Sequence, residues 1–166
     1  MFDRPFYRTR QFLGAFRPTV ESAERTDARV LLGERLWPLF ESMKPRDQRH
    51  SLDVFHVLKD QGDHDQDLLM SALLHDVGKG RLAAANVRLW HRVVYVLLGA
   101  GPPGLLRRVA NGRGGLGALN RHAERGAVVA EALGASAGVV DLIRRHHDDD
   151  PHDKPLRTLR IADDAC

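Results

Sequence analysis

The chain places a histidine and an aspartate side by side, His75-Asp76, within the segment Ser71–Gly80 (SALLHDVGKG). Apolar residues with helical spacing precede the pair, so it falls at the end of a predicted helix. A carboxylate at that position faces the negative end of the helix dipole and loses hydration, so it needs a positive partner. A metal ion bound by the imidazole and the carboxylate would provide one. Alternatively, Lys79 or Arg81 pairs with Asp76 while His75 covers the last carbonyls of the helix.

Other histidines and acids fall at inward or terminal positions of further predicted apolar helices. Any one of them, taken alone, is explained more simply as a hydrogen-bonded polar group of the core. Several on separate helices of one domain would each cost free energy through lost hydration, whereas a shared metal centre satisfies all of them. Nitrogen and oxygen ligands without sulfur suit Fe, Mn, Zn, Co, Ni or Mg. The candidate ligands are His50, His75, Asp76, His122, His146, His147 and Asp163.

Helices must position these residues, because the sequence contains no convincing alternating strand pattern. The predicted fold class is therefore all-α. Three helices are predicted in the first half of the chain. They run from Thr19 or Ser22 to about Met43 with a kink at Pro38, from a cap at Asp47 to Gly62 after a break at Pro45, and from Asp65 or Asp67 to Val77, with Gly78 left-handed.

The second half continues the helical pattern around a glycine-rich loop at 111–117, which has neither the preceding strand nor the lysine of a nucleotide-triphosphatase loop. Further helices are predicted at 86–98, 105–110 and 119–133, the last ended by Gly134. A helix capped by Ser136 then leads to His146 and His147. A polar loop at 148–155 precedes a last helix from Leu156, which carries Asp163.

The length of 166 residues and the hydrophobic content of 43% predict one domain. We expect a basic-aromatic N-terminal arm at 1–18 and a single helical domain at 19–166. The net charge of +3 favours anionic partners but is too small to indicate nucleic acid by itself.

The single cysteine, Cys166, excludes a disulfide framework and favours a reducing cytoplasm. The longest apolar run, 93–100, is much shorter than the roughly 20 residues of a membrane-spanning helix. The basic-aromatic arm and the stretch 89–98 could together form a face that contacts a membrane surface or a second copy of the chain.

Three short segments resemble known signatures of one family. They are Arg-His-Ser-Leu at His50, Leu-Leu-His-Asp-Val-Gly-Lys at His75, and Arg-Ile-Ala-Asp-Asp around Asp163. In this order they are similar to the H…HD…D pattern of the HD-domain metal-dependent phosphohydrolases, a helical superfamily. The resemblance covers about 49–164 and implies an HD-type helical bundle.

Two more segments resemble those that supply a second metal in the dinuclear branches of that superfamily: His122-Ala-Glu-Arg-Gly126 and Arg145-His-His-Asp148. The resemblance implies two divalent ions, with Asp76 as bridge and His147 as a ligand or a supporting group. It implies that His50, His75, Asp76 and Asp163 hold the first ion, with Asp164 as the alternative acid, and that His122 and His146 hold the second. The stretch after the paired histidines departs from the HD-GYP branch, so cyclic di-GMP is a doubtful substrate.

The implied activity is hydrolysis of a small, nucleotide-like phosphoester or phosphoanhydride, with Asp76 and Lys79 as catalytic residues. Lys79, Arg81, Arg125 and Arg145 are the predicted substrate contacts, and Arg121 and Arg144 are further candidates. For each arginine the alternative is a solvated surface charge. Two other functions stay open at this point: an HD-type di-iron oxygenase, and a metal-containing module that senses a nucleotide without catalysis.

Overall fold

The computed structural model describes residues 20–82, 121–148 and 152–166. The predicted arm at 1–18, the predicted helices at 86–98 and 105–110 and the loop at 111–117 lie outside these residues. The described residues form helices and no strand, which confirms the all-α fold class. The α-helices are α1 (Ser22–Ser42), α2 (Pro45–Asp60), α3 (Gln66–Leu74), α4 (His122–Ala132), α5 (Ala137–Arg145) and α6 (Lys154–Ala165), with a short 3-10 helix at Val77–Lys79.

Several helices end or begin at the glycine and capping residues that the sequence predicted. Gly62 and Gly134, which follow α2 and α4, both have a φ of 81°, a backbone conformation that glycine adopts without steric cost. The side chain of Ser136 accepts a hydrogen bond from the backbone N–H of Val139 and so caps α5.

Other boundaries differ from the prediction. The break inside α1 lies at Gly33, with φ 63° and ψ 174°, rather than at Pro38, because glycine adopts a positive φ readily. Helix α2 begins at Pro45 rather than after a cap at Asp47, because a proline in the first turn has no N–H to leave unsatisfied. The last helix begins two residues before Leu156, with Asp153 as its cap.

Helix α3 ends at Leu74, three residues earlier than predicted, and the chain continues through a turn at His75 and Asp76 into the 3-10 helix. Gly78 has no positive φ, so its predicted left-handed conformation is wrong. The pair therefore lies in a tight turn, and its two side chains leave the backbone between two short helical segments.

The packing brings the end of α3 to the middle of the molecule. Helix α3 packs against α2 and α5, α4 packs against α5 and the 3-10 helix, and α6 packs against α2. Fully buried side chains from all six helices form one hydrophobic core, including Phe40, Leu52, Leu73, Ala130, Ile143 and Leu159. Each predicted ligand thus stands on a helix, or directly after one, that is fixed by this core.

None of the helices in the described part of the chain is both long enough and apolar enough to cross a membrane. The cytoplasmic location and the membrane or dimer contact stay predictions.

Candidate metal centre

The seven predicted ligands fall into two neighbouring sets. We call His50, His75, Asp76 and Asp163 the mixed group, and His122, His146 and His147 the histidine group. Within the histidine group, and among His50, His75 and Asp76, one potential ligand atom of each residue lies within 4.8 Å of the others.

The mixed group joins three parts of the chain. His50 comes from the first half of α2, His75 and Asp76 from the turn after α3, and Asp163 from α6. The Nε2 atom of His50 lies 2.8 Å from Oδ1 of Asp163 and 3.3 Å from Nε2 of His75. Asp163, rather than the exposed Asp164, is the acid that faces this group.

The histidine group joins the start of α4 to the end of α5. The Nε2 atom of His122 lies 3.3 Å from Nε2 of His146 and 3.1 Å from Nε2 of His147. His122 and His146 are buried, at 5% and 2% exposure, whereas His147 is exposed. His147 therefore forms the solvent side of the group.

Two of the histidines are oriented by the same backbone contact. Nδ1 of His75 lies 2.9 Å from the carbonyl oxygen of Ala72, and Nδ1 of His146 lies 2.7 Å from that of Ile143. A carbonyl only accepts, so Nδ1 must be the donor in each ring. In the neutral ring Nε2 then carries a lone pair, which is the arrangement that orients a metal-binding histidine.

The spacing and chemistry of these nitrogens fit a transition metal. Two imidazole nitrogens bound to one ion at ~2.1 Å lie about 3.0–3.4 Å apart, depending on the coordination angle. The Nε2 pairs His50–His75 and His122–His146, both at 3.3 Å, meet this requirement. A cation between such nitrogens would bind a lone pair from each ring, once Nε2 of His50 gives up the proton that it donates to Asp163.

Asp76 lies between the two groups and is 3% exposed. Its Oδ1 lies 3.8 Å from Nε2 of His75 and 3.4 Å from Nε2 of His122. The same oxygen pairs with Nζ of Lys79 at 2.5 Å. Both contacts of the metal-free alternative are thus present, namely the lysine on Asp76 and the histidine on a helix carbonyl. These contacts leave Nε2 of His75 directed towards His50 and Asp163, so His75 can still act as a metal ligand.

Charges in the mixed group hold its carboxylates ionised. Burial acts to raise the pKa of Asp76, but the Lys79 ammonium and the adjacent histidines lower it well below its usual value. Burial likewise acts to raise the pKa of Asp163, but its hydrogen bond to His50 lowers it. Burial acts to lower the pKa of His50, whereas Asp163 and Asp76 raise it above the ordinary value. Burial lowers the pKa of His75.

In the histidine group, burial lowers the pKa values of His146 and His147, as it does for His75. Burial, together with the neighbouring imidazoles, lowers the pKa of His146 to about 2. Partial burial and the proximity of His122 lower the pKa of His147 to about 4. Both rings are therefore neutral near pH 7, which is the form that binds a metal.

A backbone contact sets the distance between the two groups. A Cβ atom on Gly78 would lie 1.8 Å from the carbonyl oxygen of His122 and 2.9 Å from the backbone nitrogen of Gly126. A Cβ on Gly126 would lie 3.2 Å from the backbone nitrogen of Gly78. Glycine is needed at 78 because α4 passes directly over the 3-10 helix, which brings His122 to Asp76.

The residues predicted to contact the substrate differ in their exposure and in their ion pairs. The side chain of Lys79 is mostly buried beside Asp76. The side chain of Arg81 is exposed, while its backbone N–H donates to the carbonyl of Ser42. Arg125 is partly buried on α4, and it forms no ion pair with the described residues. Arg145 pairs with three carboxylates, and Arg144 pairs with Glu124. For Arg145 those carboxylates would compete with a phosphate, so its predicted role is the weakest of these.

Some contributors were not predicted from the sequence. They include the carbonyl of Ile143, which orients His146, and Arg160, whose Nη1 donates to the carbonyl of Asp148 at 2.8 Å. A signal for this carbonyl was present, since His146, like His75, directly follows a short apolar helix. Arg160 stood in the Arg-Ile-Ala-Asp-Asp segment without an assigned role.

Comparison with known proteins supports one family. A search of curated proteins and a search of solved structures each found no match. The family model described as "HD domain" matches residues 48–166, which include all seven residues of the two groups. The chain therefore belongs to the HD domain family.

Proposed function

We propose that this protein is a metal-dependent phosphohydrolase with two divalent ions, acting on a small nucleotide-like phosphoester or phosphoanhydride. HD domain proteins bind divalent metals and are typically hydrolases. The position of Asp76 carries the proposal, because one buried carboxylate lies within 4 Å of a histidine in each group. A residue shared in this way suits a pair of ions better than a single one.

We assign a distinct role in metal binding to each of the two groups. The mixed group would hold one ion and the histidine group the other, with Asp76 shared by both. Divalent ions in such a site activate a water molecule and neutralise charge on the phosphoryl oxygens. His75 and His146, each fixed by a backbone carbonyl, would keep the two groups rigid and so limit reorganisation during the reaction.

Lys79 is the leading candidate for substrate recognition. Its ammonium pairs with Oδ1 of Asp76, the oxygen that faces a histidine of each group. The residue itself ends the 3-10 helix, in which Gly78 lies against α4. A lysine at this point would contact a non-bridging phosphate oxygen and stabilise the negative charge on it. Arg81 and Arg125 are proposed as further contacts to the remainder of a polyanionic substrate.

Metal content and product analysis together test this function. We would measure bound metals by elemental analysis of the purified protein. We would then assay phosphate or nucleotide release with added Mn²⁺, using a generic phosphodiester, nucleotides and dinucleoside polyphosphates. Release that is lost with a chelator and restored by metal is expected. Absence of release from the whole panel, together with oxygen consumption, would favour a di-iron oxygenase instead.

A matched pair of histidine variants makes the assay specific. His50 and His56 stand on the same helix, but His56 pairs with Glu24 away from both groups. His50→Gln should lose metal from the mixed group and nearly all activity, whereas His56→Gln should retain both. Equal activity of the two variants would contradict the proposed site.

A further inference from the structure

His147 is held differently from the other two members of the histidine group. His146 is buried and donates from Nδ1 to a backbone carbonyl, and His122 is buried between α4 and the 3-10 helix. The ring of His147 is exposed, and its hydrogen-bond-range contact within the described residues is to Nε2 of His122. Its ring also lies against the rings of His146 and His122, with centroids 3.9 and 4.9 Å away. Beyond these ring contacts, its position comes from its backbone.

Two hydrogen bonds hold the backbone directly after His147, one through the N–H of Asp148 and one through its carbonyl. The N–H of Asp148 donates to the carbonyl of Arg145 at 2.7 Å, which closes a turn around the two histidines. The carbonyl of Asp148 accepts from Nη1 of Arg160 on α6 at 2.8 Å. This second bond is the one that ties the turn to another helix.

Arg145 reinforces the same connection. Its Nη1 lies 2.8 Å from Asp141, on the same helix, and 3.0 Å from Oδ2 of Asp153, while its Nε lies 3.5 Å from Asp148. The other carboxylate oxygen of Asp153 caps α6 by accepting from the N–H of Leu156. Arg145 thus ties the end of α5 to the start of the helix that carries Arg160.

We infer that Arg160 is a positioning residue that holds His147 against His122 and thereby completes the histidine group, with Arg145 as its support. Helix α6 then serves both groups, since Asp163, one turn beyond Arg160, contacts His50. This inference rests on the proposed function, because it assigns a purpose to Arg160 only if the histidine group binds an ion. Charge-assisted bonds from a guanidinium to a carbonyl are well suited to fixing a surface turn.

The test compares Arg160→Ala with Arg157→Ala, which removes the same charge one turn earlier on an exposed position of α6. Co²⁺ would be titrated into the metal-free protein, with visible absorption reporting each ion. We expect Arg160→Ala to bind the first Co²⁺ like the parent and the second about 10- to 100-fold more weakly, the range found for supporting residues around metal ligands. Arg160→Lys, which can still donate, should recover part of the loss, and His147→Ala should reproduce it.

A readout without metal separates this inference from the proposed function. In the metal-free parent and in Arg157→Ala, nuclear Overhauser contacts between the rings of His147 and His122 are expected, and Arg160→Ala should lose them. Retention of these contacts and of both Co²⁺ affinities in Arg160→Ala would overturn the positioning role. Equal weakening of both ions, or a large fall in melting temperature, would also overturn it, since Arg160 would then be merely structural. A parent that binds no Co²⁺ would instead contradict the proposed function.

Discussion

His50 in the mixed group and His146 in the histidine group are the same residue type in opposite electrostatic settings. In the mixed group, Asp163 and Asp76 raise the pKa of His50 despite its burial, so imidazole and carboxylate stabilise each other. In the histidine group, burial and neighbouring rings lower the pKa of His146 to about 2. The mixed group is consequently held together by its own charges.

The histidine group has no carboxylate of its own and depends on Asp76 for negative charge. The ring nitrogens of the group lie 3.1 and 3.3 Å apart. His146 and His147 do not gain a proton near pH 7, so a metal ion is the cation that would bind there. We therefore expect the mixed group to bind its ion more tightly and the histidine group to gain more order from metal.

The largest effect is expected for a substitution of Asp76, which lies between the two groups. Asp76→Asn keeps the shape of the side chain but removes the charge that both groups share, and it leaves Lys79 buried without its partner. Both ions should be lost, and activity should fall about a thousandfold or more, equivalent to roughly 4 kcal/mol of transition-state stabilisation. Elemental analysis and the hydrolysis assay measure this. The control is Asp53→Asn on α2, whose carboxylate pairs with Arg49. A variant that kept full metal content would contradict the assignment of Asp76.

Separate substitutions in the two groups should have separate effects on metal content. His122→Ala and His146→Ala leave all four residues of the mixed group in place, so the metal-to-protein ratio should fall towards half of the parent value. Asp163→Asn should instead disturb the ion of the mixed group. Activity should drop by orders of magnitude in all three, because hydrolysis needs both ions. A parent-like ratio in His122→Ala, together with a lower melting temperature, would indicate a buried core histidine and contradict the two-ion assignment.

Alanine substitutions at Gly78 and Gly126 test how much the close approach of α4 to the 3-10 helix constrains the protein. The methyl group of Gly78→Ala would collide with the carbonyl of His122, which is backbone and cannot turn away. We expect a loss of about 3 kcal/mol or more in the free energy of unfolding, near the upper end for overpacking. In Gly126→Ala the nearest atoms are methyl carbons of Ile143 and Val77 and the backbone nitrogen of Gly78, at 3.1 to 3.2 Å, so shifts of a few tenths of an ångström suffice and a loss of about 1 kcal/mol is expected. Urea unfolding measures both. Equal stability of the two variants would show that the close approach of α4 does not constrain the protein.

Much of this site could be predicted from the sequence, because its residues follow local rules. The adjacent His75 and Asp76 stand at the end of an apolar run, and the helix periods place His50 and His146 on inward positions. The family resemblance supplied the order in which these helices must meet. The fold class follows from the same periodicity.

The predictions for Gly78 and Pro38 were wrong, and one ion pair of Arg145 was missed. Gly78 was predicted to be left-handed, as glycines after helices often are, but the carbonyl of His122 explains why glycine is needed there. For Arg145 the sequence predicted a substrate contact, and its ion pair with Asp153, the cap of α6, was not anticipated. The kink was assigned to Pro38 because proline is the stronger helix breaker, yet an exposed proline was accommodated and Gly33 absorbed the bend. No local pattern in the sequence reports such pairings.

A further expected effect is that His50 and His146 give the stability of the metal-free protein opposite pH dependences. His146 faces His75, His122, His147 and Asp76, and its pKa is about 2 in the folded state against an ordinary 6.5. Below pH 6.5 the unfolded chain binds a proton that the folded chain does not, so stability is lost on acidification, by about 2 kcal/mol at pH 5.

His50 acts in the other direction. It faces Asp163, Asp76, His75 and Lys79, and its pKa is raised, so its contribution is fully present below pH 6.5 and is lost as the pH rises through its folded value. Urea unfolding with a chelator at pH 5 and pH 8 should therefore show a steeper loss on acidification in His50→Gln and a shallower loss in His146→Gln than in the parent. Each variant serves as the control for the other, because both replace one partly or fully buried imidazole by an uncharged amide. Slopes that changed in the same direction would mean that Asp163 and Asp76 do not raise the pKa of His50 against the effect of its burial.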